Sequence, residues 1–569
     1  MELTIDGRPI EVSTGESLRD LVVRLGLDTN SLKTRPLAAD IKGEIFTLNY
    51  IPIREQESIT TTVRMRRAIR ASKGVINLIG YGDPRGKQVY ERTMQFVFFL
   101  AVRQVFPQAR VKVDFAIGAG IYIEIDKETP LTANDVHLLK QRCDEIVKSD
   151  FPLLRKRVDI DEAIDFFERD GQQDKVRLLE WRKFTYFDVY RHDDYVDYFY
   201  GEMMPSTGYV SVFDLQFHAP GLYLVRPDND DFDRPATEVD LPKFASVFEQ
   251  SDRWGKLMHC ETVADLNDLT TSGKLRELIR VNEALHERRF SEIASEIVHR
   301  GAMAILIAGP SSSGKTTSAN RLATQLRVLG KSPILLSLDD YYIDRRLIEP
   351  DQNGKVDLEH INTIDVPQFN ADLEELLNGK TVEIPHFDFK SGSRQMLGHY
   401  VTLSDDTPLI IEGLHALNPT LLNPRIDHSL IFRLYVSALT TLNLDNHNRI
   451  PTTDVRLLRR MVRDYETRGA TMERTLDMWE SVRKGEERWI FPYQEGADAI
   501  FNTSLVYELA VLKKHIYPLL TEISPDNPCY DQIRHIIKFL NYIHDANVED
   551  EIPPTSILRE FVGGNTFYR

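Results

Sequence analysis

Cysteine is scarce in this chain: Cys143, Cys260 and Cys529 are the three among 569 residues. They lie far apart and fit neither a metal-binding nor a disulfide framework, so they read as reduced packing thiols of a cytosolic protein. Long apolar runs are missing as well. No stretch approaches the roughly 18 apolar residues that span a bilayer, and the opening MELTIDGRPI lacks the basic-then-apolar order of a secretory leader. Positive charge is in deficit, with 70 Lys and Arg against 87 Asp and Glu and a net charge of −17. A chain so acidic does not coat nucleic acid or an anionic membrane by charge alone. The local exception, 64-RMRRAIRASK-73, reads either as a solvated helix face or as an RNA contact. Neither an internal repeat nor a long low-complexity tract is present. These absences predict a cytoplasmic protein with no membrane partner.

What the chain does contain is core-forming material, 42% hydrophobic, over a length that suggests about four units. From 301 onward apolar runs (AILIAG, PILLSL, PLIIEG, LIFRLYV, DAIFNT) alternate with helical segments. That alternation predicts a parallel sheet with helices on both faces and with ligand-binding loops at the carboxyl ends of its strands.

The first such loop is carried by 304-AILIAGPSSSGKTTSANRLA-323. Gly309, Pro310, Ser311, Ser312, Ser313, Gly314, Lys315 and Thr316 satisfy the pattern G-x4-G-K-[ST], and Thr317 follows inside the predicted helix. In such a loop backbone N–H groups wrap phosphates, Lys315 reaches the outer phosphates and the Thr316 hydroxyl ligates Mg²⁺. The expected ligands are therefore ATP and Mg²⁺.

The acceptor is read elsewhere. The stretch 336-LSLDDYYID-344 ends a strand in acids, and Asp339 is placed to take a hydroxyl proton beside the γ-phosphate. In 408-PLIIEGLHAL-417 the strand-terminal Glu412 suits Mg²⁺ or its water shell. In 384-IPHFDFKSGSR-394 the rings of Phe387 and Phe389, two apart on an extended segment, read as a sandwich for a planar base, followed by Arg394. Finally Arg456, Arg459, Arg460 and Arg463 stand at i, i+3, i+4 and i+7, on one helical face. A one-sided arginine stripe calls for an anion, expected here to be the transferring phosphoryl oxygens.

In this order these phrases, with 491-FPYQEGADAIF-501, resemble the phosphoribulokinase/uridine kinase family over roughly residues 300 to 510. The resemblance implies that Asp339 is the base, that 357-DLEHINTID-365 binds ribose hydroxyls through Glu359 where the family has an aspartate, and that the arginine helix forms a lid. It implies Arg456 as both a catalytic and a substrate contact. Where the family places a base-reading histidine, this chain has Gly392. That departure predicts a roomier pocket with one donor fewer.

The first 225 residues carry a second resemblance. ELTIDG, RPIEVST, ESLRDLVVRLGL and IFTLNYIPIREQESITTTV resemble the ubiquitin-like TGS domain of threonyl-tRNA synthetases. AVRQVFPQARV, AIGAGIYIEIDKETPLTANDVHLLKQRCDEIVKSDFPLLRKRV and RHDDYVDYFYGEMMPSTG resemble that family's second, editing domain. At the four positions of its editing histidines and cysteine the chain has Phe96, Leu100, Phe199 and Met203. Such apolar groups neither bind metal nor activate water.

The expected fold class is multidomain α/β: a P-loop kinase whose parallel sheet is flanked by helices, behind a ubiquitin-like α+β TGS module and an α+β editing-like domain. Expected boundaries are 1–63 (TGS-like), 64–225 (editing-like), 226–300 (linker and helical segment), 301–510 (kinase) and 511–569 (helical extension). The expected reaction carries the γ-phosphoryl of ATP to a nucleoside 5′-hydroxyl. Alternatives are another small hydroxyl acceptor, such as a sugar phosphate or pantothenate-like compound, or a noncatalytic ATP-binding, RNA-associated regulator. Structured RNA at the amino-terminal modules and a homo-oligomer complete the expected partners.

Overall fold

Among the described residues, seven of nineteen strands serve the kinase portion, and five of those form the sheet that positions the site. The computed structural model describes residues 2–52, 61–182, 184–237, 241–348, 359–524, 527 and 529–567. Residues 53–60, within the closing phrase of the TGS-like stretch, and Asp357 and Leu358 of the ribose phrase lie outside the described residues.

The amino-terminal sheet has the order β2-β1-β5-β3-β4. Its strands are β1 (Glu2–Ile5), β2 (Arg8–Glu11), β3 (Ala38–Ile41), β4 (Glu44–Thr47) and β5 (Val75–Ile79). The hairpin β1-β2 turns at Asp6 and Gly7, both at positive φ. The helix Leu18–Arg24 is started by a capping box, Ser17 with Asp20. Because β5 pairs parallel to β1 and antiparallel to β3, the module runs to residue 79. The boundary expected at 63 therefore falls inside it: the last strand is supplied after the basic helix Thr61–Ala71.

The second module holds the antiparallel sheet β11-β12-β7-β6 and the smaller sheet β10-β9-β8. Its strands are β6 (Arg110–Ile117), β7 (Gly120–Asp126), β8 (Arg155–Asp159), β9 (Tyr186–His192), β10 (Tyr195–Asp197), β11 (Asp214–His218) and β12 (Gly221–Val225). Phe96 and Leu100 lie one turn apart on the buried helix Pro84–Val105. They share one core with Phe199 and Met203, all four being at most 6% exposed. The Phe99 ring stacks on Phe199 and, from the other direction, meets His447 of the kinase portion at 4.3 Å. The position that would hold an editing site is thus a packed apolar cluster closed by a neighbouring domain.

The strands of the carboxyl-terminal portion are β13 (Ala304–Ala308), β14 (Ile334–Ser337), β15 (Thr381–Asp388), β16 (Ser393–Thr402), β17 (Leu409–Glu412), β18 (Ile431–Ser437) and β19 (Ala499–Asn502). Five of them build an all-parallel sheet in the order β14-β17-β13-β18-β19, and β15-β16 form a hairpin beside it. All five residues of the central strand β13 are buried, as expected where helices cover both faces.

The expected cuts at 300 and 510 do not separate independent pieces. Helix Leu275–Arg300 packs on the P-loop helix Lys315–Val328 through Arg321, which pairs with Glu287 (2.7 Å) and Glu283 (3.3 Å). Helix Glu508–Thr521 crosses residue 510, and Ile557, Leu558 and Phe561 belong to the same core as β13. Buried polar contacts tie the second module to the loop that leads into helix Thr452–Arg468. Asp197 meets Lys175 at 3.0 Å and His447 at 2.7 Å, and Tyr198 donates to Asp445 at 2.6 Å.

Candidate active site

Three strand ends and one loop converge. Register pairs Glu412 of β17 with Ile307 of β13 on one side and with Ser337 of β14 on the other. The acidic turn Leu338–Tyr341 and the P-loop therefore leave the sheet at the same height.

The P-loop conformation depends on its two glycines. A Cβ at Gly309 would stand 2.1 Å from the Val436 carbonyl oxygen, and Gly314 sits at φ +84, a left-handed region unfavourable to other residues. Ser311 N–H donates to Glu486 (2.9 Å) and Lys315 Nζ donates to the carbonyls of Gly309 (2.9 Å) and Pro310 (3.2 Å). Burial lowers the Lys315 pKa. The N–H groups of Gly314, Lys315 and Thr316 find no partner among the described residues. Free donors at a helix start form a cradle for an anion.

Opposite the lysine stand two carboxylates. Thr316 Oγ1 donates to Glu412 at 3.3 Å. Burial, together with the charge of Asp339, pushes the Glu412 carboxyl up to about 7. Burial also raises Asp339, against the pull of Lys315, while the Tyr342 hydroxyl donates to it. Glu359 is brought to the same cleft, where burial raises it and Arg460 opposes that rise. Its backbone carbonyl accepts from the buried His415 Nε2 at 2.9 Å.

The aromatic segment differs from the expected sandwich. Phe387 is buried and Phe389 is 54% exposed, and their rings meet at 5.2 Å with an interplanar angle of 80°. Tyr342 adds a third ring, edge-on to both. A planar group would stack on the exposed face of Phe389, since perpendicular rings offer no slot. Arg394 is engaged with Asp365 at 2.9 Å. Nor does Gly392 leave room. It sits at φ +68, and a Cβ there would meet Arg345 Cδ at 2.7 Å. The Arg345 guanidinium has no partner among the described residues.

The arginine stripe is present on helix Thr452–Arg468, but each of its four members already meets a carboxylate, and two of those pairs are fully buried. Arg456 is 1% exposed and forks onto Glu486 at 2.5 and 2.6 Å. Arg459 is 0% exposed and binds Glu508 (2.5 Å) and the Thr503 carbonyl (2.8 Å). The expectation that phosphoryl oxygens neutralise these two is corrected: internal carboxylates do so, because the desolvation of a buried guanidinium demands a permanent partner. Arg460 donates to the Ser311 hydroxyl at 2.8 Å and pairs with Asp464 at 3.2 Å, and Arg463 reaches the same carboxylate at 3.1 Å. The charge of Arg463 bears on Lys315, and that of Arg468 on Asp339. Sequence reasoning missed Arg468, one helical turn and a residue beyond Arg463, although the same helical period extended leads to its neighbourhood. It also missed Tyr342, whose place three residues after Asp339 on a short turn was a readable signal.

Comparison with known proteins finds two separate similarities along the chain. The model of the phosphoribulokinase/uridine kinase family matches residues 304–509. A uridine kinase of Staphylococcus aureus is 31% identical over 195 residues, which make up 34% of this chain and 84% of that protein. The threonine–tRNA ligase of Carboxydothermus hydrogenoformans is 32% identical over 146 residues, 26% of this chain. The chain spans 23% of the length of that ligase. Among solved structures, a possible uridine kinase from Bacillus stearothermophilus is 21% identical, with 38% of this chain and 98% of that one covered at a TM-score of 0.24. Among the described residues no helix is long and apolar enough to cross a membrane.

Proposed function

We propose that this chain, which belongs to the phosphoribulokinase/uridine kinase family, transfers the γ-phosphoryl of ATP to the 5′-hydroxyl of a nucleoside. The observation that carries the reading is the grouping of Lys315, Asp339, held by Tyr342, and Glu412 at aligned strand ends. A switch that only binds a nucleotide has no use for a base of raised pKa beside the outer phosphates.

In this reading the unpaired N–H groups of Gly314, Lys315 and Thr316 bind the phosphates. Asp339 takes the acceptor hydroxyl proton as that oxygen attacks phosphorus. Lys315, Arg463 and Arg468 oppose the charge that develops on the phosphoryl oxygens. Thr316 and Glu412 offer one hydroxyl and one carboxylate, a donor set that suits Mg²⁺ shared with substrate phosphates better than an all-protein cage. When bound, Mg²⁺ supplies charge neutralisation between the phosphates. Glu359 accepts from acceptor hydroxyls, and the exposed face of Phe389 stacks the base.

Arg345 favours a second acceptor class. A guanidinium with no partner among the described residues, beside Gly392, would suit a phosphate or carboxylate on the acceptor, as in a sugar phosphate. The test is ADP release over a panel of nucleosides and phosphorylated sugars, with Lys315→Ala and Asp339→Asn beside the wild type. The lysine change should weaken ATP binding. The asparagine change should keep it and lower kcat by orders of magnitude. Equal loss of ATP affinity in both variants would remove Asp339 from its role.

A further inference from the structure

The carboxyl-terminal segment lies beyond the family match at 304–509, yet it reaches the phosphate cradle. After helix Tyr530–Leu540 the chain returns to the kinase sheet. Ile557, Leu558 and Phe561 are each 0% exposed there. Ile557 lies against the P-loop itself, its Cγ2 2.6 Å from where a Cβ at Gly314 would stand. Phe561 lies under the Arg459 guanidinium at 5.0 Å. These anchors hold the short helix Arg559–Val562, and with it Glu560, over the start of the P-loop helix.

Glu560 Oε2 accepts from Thr317 twice, from the hydroxyl at 2.7 Å and from the backbone N–H at 3.3 Å. Asn565 Nδ2 approaches the same hydroxyl at 3.4 Å. Thr317 follows directly on Lys315 and Thr316, whose N–H groups point the same way from the first helical turn. A phosphate chain that begins on Lys315 and follows this turn reaches Thr317 with its inner phosphate. Two anions cannot share one N–H and one hydroxyl, because each would stand within a few ångströms of the other in a partly buried site.

We propose that Glu560 is a built-in occupant of the donor site, a carboxylate that holds the inner-phosphate position and must swing away when ATP binds. The inference rests on the ATP reading above and adds a gate to it. Its range of movement follows from the anchors. Ile557, Leu558 and Phe561 are core residues, so the segment stays docked while the Glu560 side chain turns about its own bonds.

The experiment measures ATP and ADP binding by titration calorimetry on the full chain, as wild type, Glu560→Gln, Glu560→Asp and Lys315→Ala, with thermal stability recorded for each. Glu560→Gln keeps the shape and removes the charge. It should bind both nucleotides about tenfold more tightly, with a rise in kcat/KM for ATP. Glu560→Asp, one methylene shorter, should tighten binding less. Unchanged or weaker binding by a stably folded Glu560→Gln, with wild-type binding abolished in Lys315→Ala, overturns the gate and leaves the ATP reading standing. Failure of the folded wild type and of Glu560→Gln alike to bind any nucleotide overturns both.

Discussion

Arg456 can be separated from the transferring phosphoryl group by breaking and then removing its ion pair. Replacing Arg456 by Met leaves Glu486, 2% exposed, with the Ser311 N–H at 2.9 Å and a longer contact to Arg483 at 3.3 Å. Loss of one partner from a buried pair costs about 3–5 kcal/mol. The residual Arg483 contact places this variant near the lower end of that range. Glu486→Gln removes the buried guanidinium's counter-charge and leaves it one amide oxygen and the Ser311 carbonyl at 3.2 Å, and should cost at least as much. In the double variant neither charge remains, and the amide oxygen introduced by Glu486→Gln can still accept from the Ser311 N–H. The joint cost should then fall short of the sum by about 1–3 kcal/mol. The assay is urea unfolding followed by tryptophan fluorescence, since the Arg456 guanidinium lies 5.5 Å from the Trp479 ring. Turnover is measured alongside. Arg456→Met combined with Glu486→Gln should leave kcat within about tenfold, whereas Arg463→Gln or Arg468→Gln should lower it by about 10²-fold, the usual effect of deleting one charge-stabilising donor. Additive stability costs would refute the pairing argument. A stable double variant with kcat down a hundredfold would return Arg456 to the phosphoryl group.

Three further outcomes are expected. Gly392→His should destabilise the kinase portion by about 1–2 kcal/mol without creating pyrimidine preference, because the residue sits at φ +68 and its Cβ would displace Arg345; a rise in uridine over guanosine kcat/KM would refute this. Burial raises Asp114 to about 7 in the folded chain, so its contribution is full below the unfolded carboxyl range near 4 and is lost as pH rises through 7. Asp114→Asn should therefore add on the order of 1–3 kcal/mol at pH 8 and almost nothing at pH 4, with Lys112 still held by Asp252 (2.7 Å) and Glu261 (2.8 Å); equal gains at both pH values would sink it. The full chain should not hydrolyse mischarged tRNA, since Phe96, Leu100, Phe199 and Met203 are packed together in the core; deacylation that stays with the protein through every purification step would contradict that packing.

Local chemistry made much of this protein legible before folding. The two glycines of the P-loop are required by the loop's own backbone geometry, and Glu412 at the end of β17 and Asp339 in the turn just beyond β14 follow from the apolar runs that precede them. The loss of editing chemistry needed four residue identities and no coordinates. The arginine face was likewise fixed by helical spacing. Its destination was not. Whether a guanidinium meets substrate or protein depends on residues 30 and 49 positions away, Glu486 and Glu508, that reach it through the fold. The room beside Gly392 was filled by Arg345 from another loop, and Phe387 and Phe389 cross at 80° with Tyr342 edge-on to both. Boundaries moved for the same reason: β5 joins a sheet whose other strands end at residue 47, and Ile557 lies against a loop more than 240 residues earlier. Sequence spacing specifies which groups share a face, because helix and strand periods are local. Which partner meets that face is decided by long-range packing, where burial imposes a desolvation penalty that an internal carboxylate, distant in the chain and near in space, offsets.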